Sequence, residues 1–161
     1  MIENFNPKPL ISVITVCFNS EKTIANTIES VINQKYQNIE FIIIDGKSTD
    51  KTFNIIQKYK ANITKIISEK DNGIYDAFNK GLELATGDLI GFVNSDDLLT
   101  PNALELLVKY HNKFPTKDFI FGAVKKHWGI LHGYKPWKIY FSWGFYSSHS
   151  TGFFIKKHAA K

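Results

Sequence analysis

At 161 residues the chain is about one domain long, with enough length to bury a real hydrophobic core and no room for a second domain of ordinary size. The composition is that of an ordinary soluble globular protein, and no uninterrupted apolar run approaches membrane-spanning length. All 20 basic residues counted in the net charge of +5 are lysines, so phosphate would meet point charges and never the bidentate arginine fork. The single cysteine, Cys17, excludes a disulfide framework and a cysteine-built zinc site, and a reducing cytoplasm is expected. Residues 1–10 lack the basic and apolar regions of a signal peptide. Charge is uneven: up to Asp118 there are 13 lysines against 15 acids, and from Phe119 to Lys161 seven lysines and no acid.

Leu10 to Phe18 is a continuous β-rich apolar run, the pattern of a parallel strand buried on both faces. Asn19-Ser20 turns it into a helix over Glu21–Gln34, with Ile24, Ile28, Val31 and Ile32 as its apolar stripe and Ser20 as its N-cap. Ile39 to Ile44 is a second buried strand that ends in Asp45-Gly46-Lys47-Ser48-Thr49-Asp50. A second helix follows, capped by Ser48 or Thr49 and marked by Phe53, Ile56 and Tyr59. Ile63–Ile67 makes a third, short strand, and Gly73–Thr86 a helix with Gly87 where a C-cap glycine belongs. Asp88–Val93 is the fourth strand, running into the polar tip Asn94-Ser95-Asp96-Asp97. Thr100-Pro101 opens a fourth helix as cap and first helical residue, and Phe119–Val124 reads as a further strand. Strands alternating with helices imply an α/β fold with a mostly parallel, Rossmann-like sheet flanked by helices. After Val124 the pattern dissolves into an irregular segment rich in aromatics, glycine and lysine that holds all three tryptophans.

Asn19, Asp45 and Asn94–Asp97 all fall at strand carboxyl ends, where open α/β sheets bind ligands, and hard oxygen donors there suit Mg²⁺ or Mn²⁺ holding a phosphate. The bland alternative is that Asn94 and Asp96 only cap their loop. Gly46-Lys47-Ser48 is not a nucleotide-triphosphatase loop, because the glycine needed five residues earlier is Phe41, and no G-x-G-x-x-G follows the first strand. Asp76 and Asn79, three apart, share one helical face near the same edge. His127 and His132 lack further ligands for zinc, and His149 has no neighbouring acid to orient it. The basic aromatic tail is compatible with nucleic acid, with an anionic membrane surface, or with a cover over the substrate cleft or the broken edge of a larger domain, and the last of these is the preferred reading.

Four motifs in order carry a resemblance: Ile11-Ser12-Val13-Ile14-Thr15-Val16 with Asn19, then Asp45–Asp50, then Glu69–Gly81, and finally Ala85–Asp88 leading to Asn94–Asp97. Over Pro9 to Lys157 the chain resembles the family 2 glycosyltransferases of the GT-A fold, especially bacterial enzymes that build polysaccharides and O-antigen-type glycans. The resemblance implies a nucleotide site of Thr15, Phe18, Asn19 and Glu21, with Asp45, then Asp71, Gly73, Asp76 and Asn79, and lastly Asn94 and Ser95. Asp96 would ligate Mg²⁺ or Mn²⁺, and His149 would lie near the donor diphosphate. Asn94 stands where the family's D-x-D motif has its first acid, so that position supplies no charge.

The implied activity is transfer of a sugar from a nucleotide sugar, UDP being the expected nucleotide, to a glycan or lipid-linked acceptor, with inversion. The implied partners are that donor and acceptor, a peripheral membrane contact and a second copy of the chain; nucleic acid is not expected. Residues 1–124 form the nucleotide-sugar-binding half, and 125–161 begin an acceptor-side segment of the same domain, cut short before the family's acceptor part. Inverting members take the acceptor proton with a carboxylate downstream of His149, and no Asp or Glu follows Asp118, so the catalytic base is unassigned. A nucleotide-sugar-binding module without transferase activity of its own is the alternative. Localisation is expected to be cytoplasmic, at the inner face of the membrane where an acceptor is lipid-linked.

Overall fold

The structure is a computed structural model that describes residues 7–122, 124–126, 129–131 and 153–160, the two middle stretches as backbone only. The elements are β1 (Ile11–Cys17), α1 (Ile24–Ile32), β2 (Ile39–Asp45), α2 (Thr52–Lys58), β3 (Lys65–Ser68), α3 (Ile74–Leu84), β4 (Leu89–Phe92), α4 (Ala103–Lys113), β5 (Phe119–Phe121), β6 (Val124–Lys126), β7 (Gly129–Leu131) and β8 (Phe153–Lys156). Six strands form one sheet in the order β3-β2-β1-β4-β8-β5, and β6 and β7 make a separate antiparallel hairpin. β1 is parallel to β2 and β4, and β2 to β3, whereas β8 runs antiparallel between β4 and β5.

Every residue of β1 is buried, as expected of a central strand covered on both faces. Ile11, Val13 and Cys17 pack on one side with Ile24, Ile28 and Val31 of α1, Ile56 of α2, and Leu104 and Leu107 of α4. Ile14 and Val16 pack on the other side with Ala77 of α3 and Ile155 of β8. α3 approaches closely because Gly81 has no side chain: a Cβ there would stand 2.5 Å from Ile14 Cγ2. A parallel constraint lets β8 into the sheet, since a Cβ on Gly91 would collide with the Phe154 ring at 2.2 Å.

Helix capping departs from the sequence expectation at each site. α1 begins after Thr23, with no side-chain cap: the Ser20 carbonyl accepts from the Thr23 and Ile24 N–H groups, while the Ser20 hydroxyl pairs with Ser95. Ser48 and Thr49 do not cap α2, because they are drawn to Asp45 and Asn19; Asp50 accepts from the Thr52 N–H instead. Gly87 is no C-cap either, as α3 ends at Leu84 with Ala85 as its C-cap. It is a point of close approach where a Cβ would lie 2.7 Å from the Leu10 carbonyl oxygen. α4 begins after Asn102, leaving Thr100 and Pro101 in the preceding turn. Phe119–Val124 is not one strand, because β5 ends at Phe121 and β6 starts at Val124.

The chain runs β1-α1-β2-α2-β3 away from the centre and then returns through α3 to place β4 on the other side of β1. That reversal opens a crevice at the carboxyl ends of β1 and β4.

Candidate functional site

The in-register pairing of β1 with both neighbours brings three loops to one edge, with Cys17 opposite Asp45 and Ile14 opposite Phe92. Between them lies an open cleft of about 990 Å³, walled by the β1–α1 turn, by Gly46 and Asp50, by the segment leading into α3, and by Asn94–Asp96.

The β1–α1 turn is held by Asn19, whose φ of 50° lies in the left-handed region that Asn tolerates better than most side chains. Its Oδ1 accepts from the Thr49 N–H at 2.8 Å, and its own N–H donates to Ser48 Oγ at 2.9 Å. Asn19 thus staples the ends of β1 and β2 together. Glu21 adds a second staple, accepting from the Lys51 N–H at 3.0 Å while its own N–H donates to Asp50 at 3.1 Å. Phe18 remains free of the core, 61% exposed, its ring beside Gly46 on the cleft floor.

Asp45 does not face the cleft. It is fully buried, and its carboxylate accepts from the Ser48 N–H and hydroxyl, from Ser68 Oγ at 2.6 Å, and from the Cys17 thiol at 3.8 Å. Its role in this structure is to tie the ends of β1, β2 and β3 together beneath the site. Burial first, and then the Asp45 charge, push the Cys17 thiol far above its ordinary range, so the sulfur on the cleft floor stays protonated.

Thr15 is likewise fully buried within β1, away from the cleft lining, and its hydroxyl has no hydrogen-bond partner among the described residues. Gly73 lies on the cleft wall at φ 108°, with open space where a Cβ would be, so backbone conformation alone calls for glycine.

Asp71 lines the wall with its side chain only 11% exposed. Lys80 of α3 pairs with Asp71 Oδ1, with Glu69 at 3.0 Å and with Asp76 at 3.3 Å. The hydrogen bonds that Lys80 donates to Asp71 and then to Glu69 raise its ammonium well above the ordinary value. Asp76, whose Oδ2 also accepts from the Asn72 N–H, is held below the ordinary carboxylate range by that bond and by Lys80. Asp76 and Asn79 do not share the site. Asp76 belongs to the lysine cluster, and Asn79 faces a separate hollow of about 550 Å³ with Thr86 and Lys157.

On the β4 side, Ser95 Oγ meets Ser20 Oγ at 2.8 Å, joining the two walls. Asp97 braces its own loop: it accepts from Asn94 Nδ2 at 3.2 Å, and its carbonyl accepts from Thr27 Oγ1 at 3.0 Å. Asp96 is exposed and lines the cleft. His149 lies outside the described residues, as does most of the tail expected to cover the cleft; β8, within that tail, joins the sheet between β4 and β5.

The structure therefore gathers Phe18, Asn19, Glu21, Asp71, Gly73, Asn94, Ser95 and Asp96 on one cleft and leaves Thr15, Asp45, Asp76 and Asn79 off its lining. Gly46, Lys22 and Lys70, none of them among the residues expected at the nucleotide site, also line it. Gly46 had a readable signal, a glycine directly after the terminal acid of a strand. A Cβ there would stand 2.9 Å from Asp71 Oδ2. Among the described residues no three His, Cys, Asp or Glu side chains gather as a ready cage for a metal. The donor set instead fits a cation held by one carboxylate, Asp96, with phosphate oxygens and water completing the shell, as Mg²⁺ commonly is.

The family described as "Glycosyl transferase family 2" matches residues 12–159. The chain is 36% identical over 128 residues to the Escherichia coli UDP-Glc:alpha-D-GlcNAc-diphosphoundecaprenol beta-1,3-glucosyltransferase WfaP, covering 71% of this chain and 50% of that protein. Among solved structures it is similar to S. aureus TarS 1-349 in complex with UDP-GlcNAc, at 27% identity and a TM-score of 0.63 over 69% of this chain and 33% of that one. It is also similar to the Pyrobaculum calidifontis mannosyltransferase PcManGT in complex with GDP-Man and Mn2+, a likeness of fold at 24% identity, TM-score 0.66, covering 73% of this chain and 36% of that one. The chain spans half or less of the length of these relatives. Matched from the second residue of β1 to the turn after β8, on a mixed sheet of the GT-A kind, the chain belongs to glycosyl transferase family 2.

Proposed function

We propose that this chain carries the donor site of an inverting, divalent-metal-dependent glycosyltransferase, which moves a sugar from a nucleotide sugar, UDP being the expected nucleotide, to a glycan or lipid-linked acceptor. The observation that carries the reading is the cleft itself. It gathers on one lining an exposed aromatic residue, Phe18, the carboxamide, hydroxyl and carboxylate run Asn94-Ser95-Asp96, and Asp71. Phe18 stacks on the base, Asp71 accepts a base N–H, Asn94 and Ser95 hold ribose hydroxyls, and Asp96 holds Mg²⁺ or Mn²⁺. The names of WfaP, with UDP-Glc and a diphosphoundecaprenol acceptor, and of the TarS complex with UDP-GlcNAc support uridine and a lipid-linked or glycan acceptor. The Mn²⁺ beside GDP-Man in PcManGT supports the metal.

Electrostatics agree. Glu21, Asp50, Asp71 and Asp96 line the cleft against Lys22 and Lys70, so a bare diphosphate would be repelled. A bound divalent cation supplies the Lewis acidity that neutralises charge building up on the leaving diphosphate.

Residues 1–124 are the donor half in this reading, and 125–161 start the acceptor side of the same domain; the pairing of β8 with β4 supports one domain. Action at the cytoplasmic face of a membrane, with peripheral contact there, follows from a lipid-linked acceptor. The second reading, a donor-binding module without transfer of its own, is favoured by the lack of any Asp or Glu after Asp118. Calorimetry with UDP and Mn²⁺, beside a UDP-release assay with UDP-glucose and UDP-GlcNAc, separates the two. Binding with release supports the transferase, binding without release the module, and no binding rejects both.

A further inference from the structure

We infer that Lys80 is a positioning residue of the donor site: it fixes Asp71 so that one carboxylate oxygen is spent on the protein and the other is presented to the nucleotide. The inference rests on the donor-site reading and adds to it a residue that lies outside the cleft lining.

The geometry is asymmetric in a useful way. The Lys80 ammonium meets Asp71 Oδ1, Glu69 Oε1 at 3.0 Å, Asp76 Oδ2 at 3.3 Å and the Lys70 carbonyl oxygen at 3.2 Å. An ammonium has three protons to donate, so four acceptors leave it fully committed to this cluster. Asp71 is the member turned inward, with its side chain 11% exposed, against 57% for Glu69 and 32% for Asp76. Its second oxygen, Oδ2, is the one that lies against Gly46 on the cleft floor, where a Cβ would stand at 2.9 Å. Gly46 thus leaves room for that oxygen, and the pair to Lys80 stops the carboxylate from rotating away.

Lys80 also ties two pieces of chain together. Glu69, Lys70 and Asp71 belong to the loop after β3, whereas Lys80 is seven residues' length into α3, which packs on β1 through Gly81. The cluster therefore anchors a cleft wall to the rigid sheet. Without the cation, three carboxylates would face one another at short range, and mutual repulsion would drive the loop and Asp71 outward.

The test is a double-mutant cycle on UDP affinity, measured by calorimetry with Mn²⁺ held constant. Lys80→Met and Asp71→Asn should each weaken UDP binding about tenfold, the scale of one charge-assisted hydrogen bond. Because Lys80 acts through Asp71, the double variant should be no weaker than the weaker single one. Lys80→Arg, which keeps the charge, should recover part of the loss. Should Lys80→Met fold poorly by circular dichroism, Lys80→Gln takes its place in the same cycle. Multiplying losses in the double variant, or wild-type affinity in Lys80→Met, would overturn the inference. A wild-type chain that does not bind UDP would instead reject the donor-site reading itself.

Discussion

A Phe18→Ala substitution removes an exposed ring from the cleft floor while leaving the hydrophobic core intact. Full burial of a phenylalanine is worth about 1.5–3 kcal/mol, and this ring is 61% exposed, so the fold should lose about 1 kcal/mol or less. For a domain of this size that is a fall in Tm of about 2–4 °C. Stacking of an aromatic side chain on a base is worth about 1–3 kcal/mol, which converts to a UDP affinity weaker by about 5- to 150-fold. Calorimetric titration with UDP and Mn²⁺ reads the second quantity and thermal melting the first, on the same samples. Phe18→Tyr, which keeps the ring, should stay near wild type in both. UDP affinity unchanged in Phe18→Ala would refute the placement of the base. A large drop in Tm alongside lost binding would mean that the ring serves the fold and not the ligand.

Asp45→Ala should destabilise the chain by about 3 kcal/mol in urea titration, because a fully buried carboxylate with several donors is removed and those donors are left unpaired. Asp96→Asn should abolish the enhancement of UDP binding by Mn²⁺, whereas Asp97→Asn should matter less to the metal, since Asp97 braces the loop through Asn94; equal losses would mean that the ligand is misassigned. Burial pushes the Glu40 carboxyl up, but hydrogen bonds from Ser12, from the Thr86 N–H and hydroxyl, and from Lys65 outweigh it and hold the group below its ordinary value. The folded chain then binds fewer protons than the unfolded one, so this stabilisation is present above the unfolded carboxylate range and lost as pH falls through the lower folded value. Glu40→Gln should flatten the acid limb of a stability-against-pH curve. In a UDP-release assay this chain alone should turn over slowly, as a positioned base is worth about 10²- to 10⁴-fold. Turnover that is fast with this chain alone would place the base within these residues.

The parallel half of the fold was legible because its strands are long apolar runs, and burial on both faces leaves few other ways to place Ile11–Cys17 and Ile39–Asp45. β8 was not. Four residues in an aromatic-rich stretch gain their partners only through pairing with Leu89–Gly91 of β4 and Phe119–Phe121 of β5, far away in sequence. The caps failed for a related reason: Ser20 and Thr49 each had a choice between a helix end and a partner far away in sequence, and the distant partner won, while Ser48 turned back to Asp45 at the end of the strand before it. At the site, the convergence of Asn19 and Asn94–Asp96 was readable from their places at strand ends. The inward turn of Asp45 was not, because it depends on Ser68 arriving beside it on β3. Lys80 carried no signal in the sequence, since its three acids span two elements.

The central claim is that a uridine nucleotide sits at the carboxyl ends of β1 and β4. A crystal structure of the chain with UDP and Mn²⁺ tests it most directly. The base should lie against Phe18 and Asp71, with the diphosphate and metal at Asp96. Nucleotide bound elsewhere, for instance in the hollow lined by Asn79, Thr86 and Lys157, would contradict it.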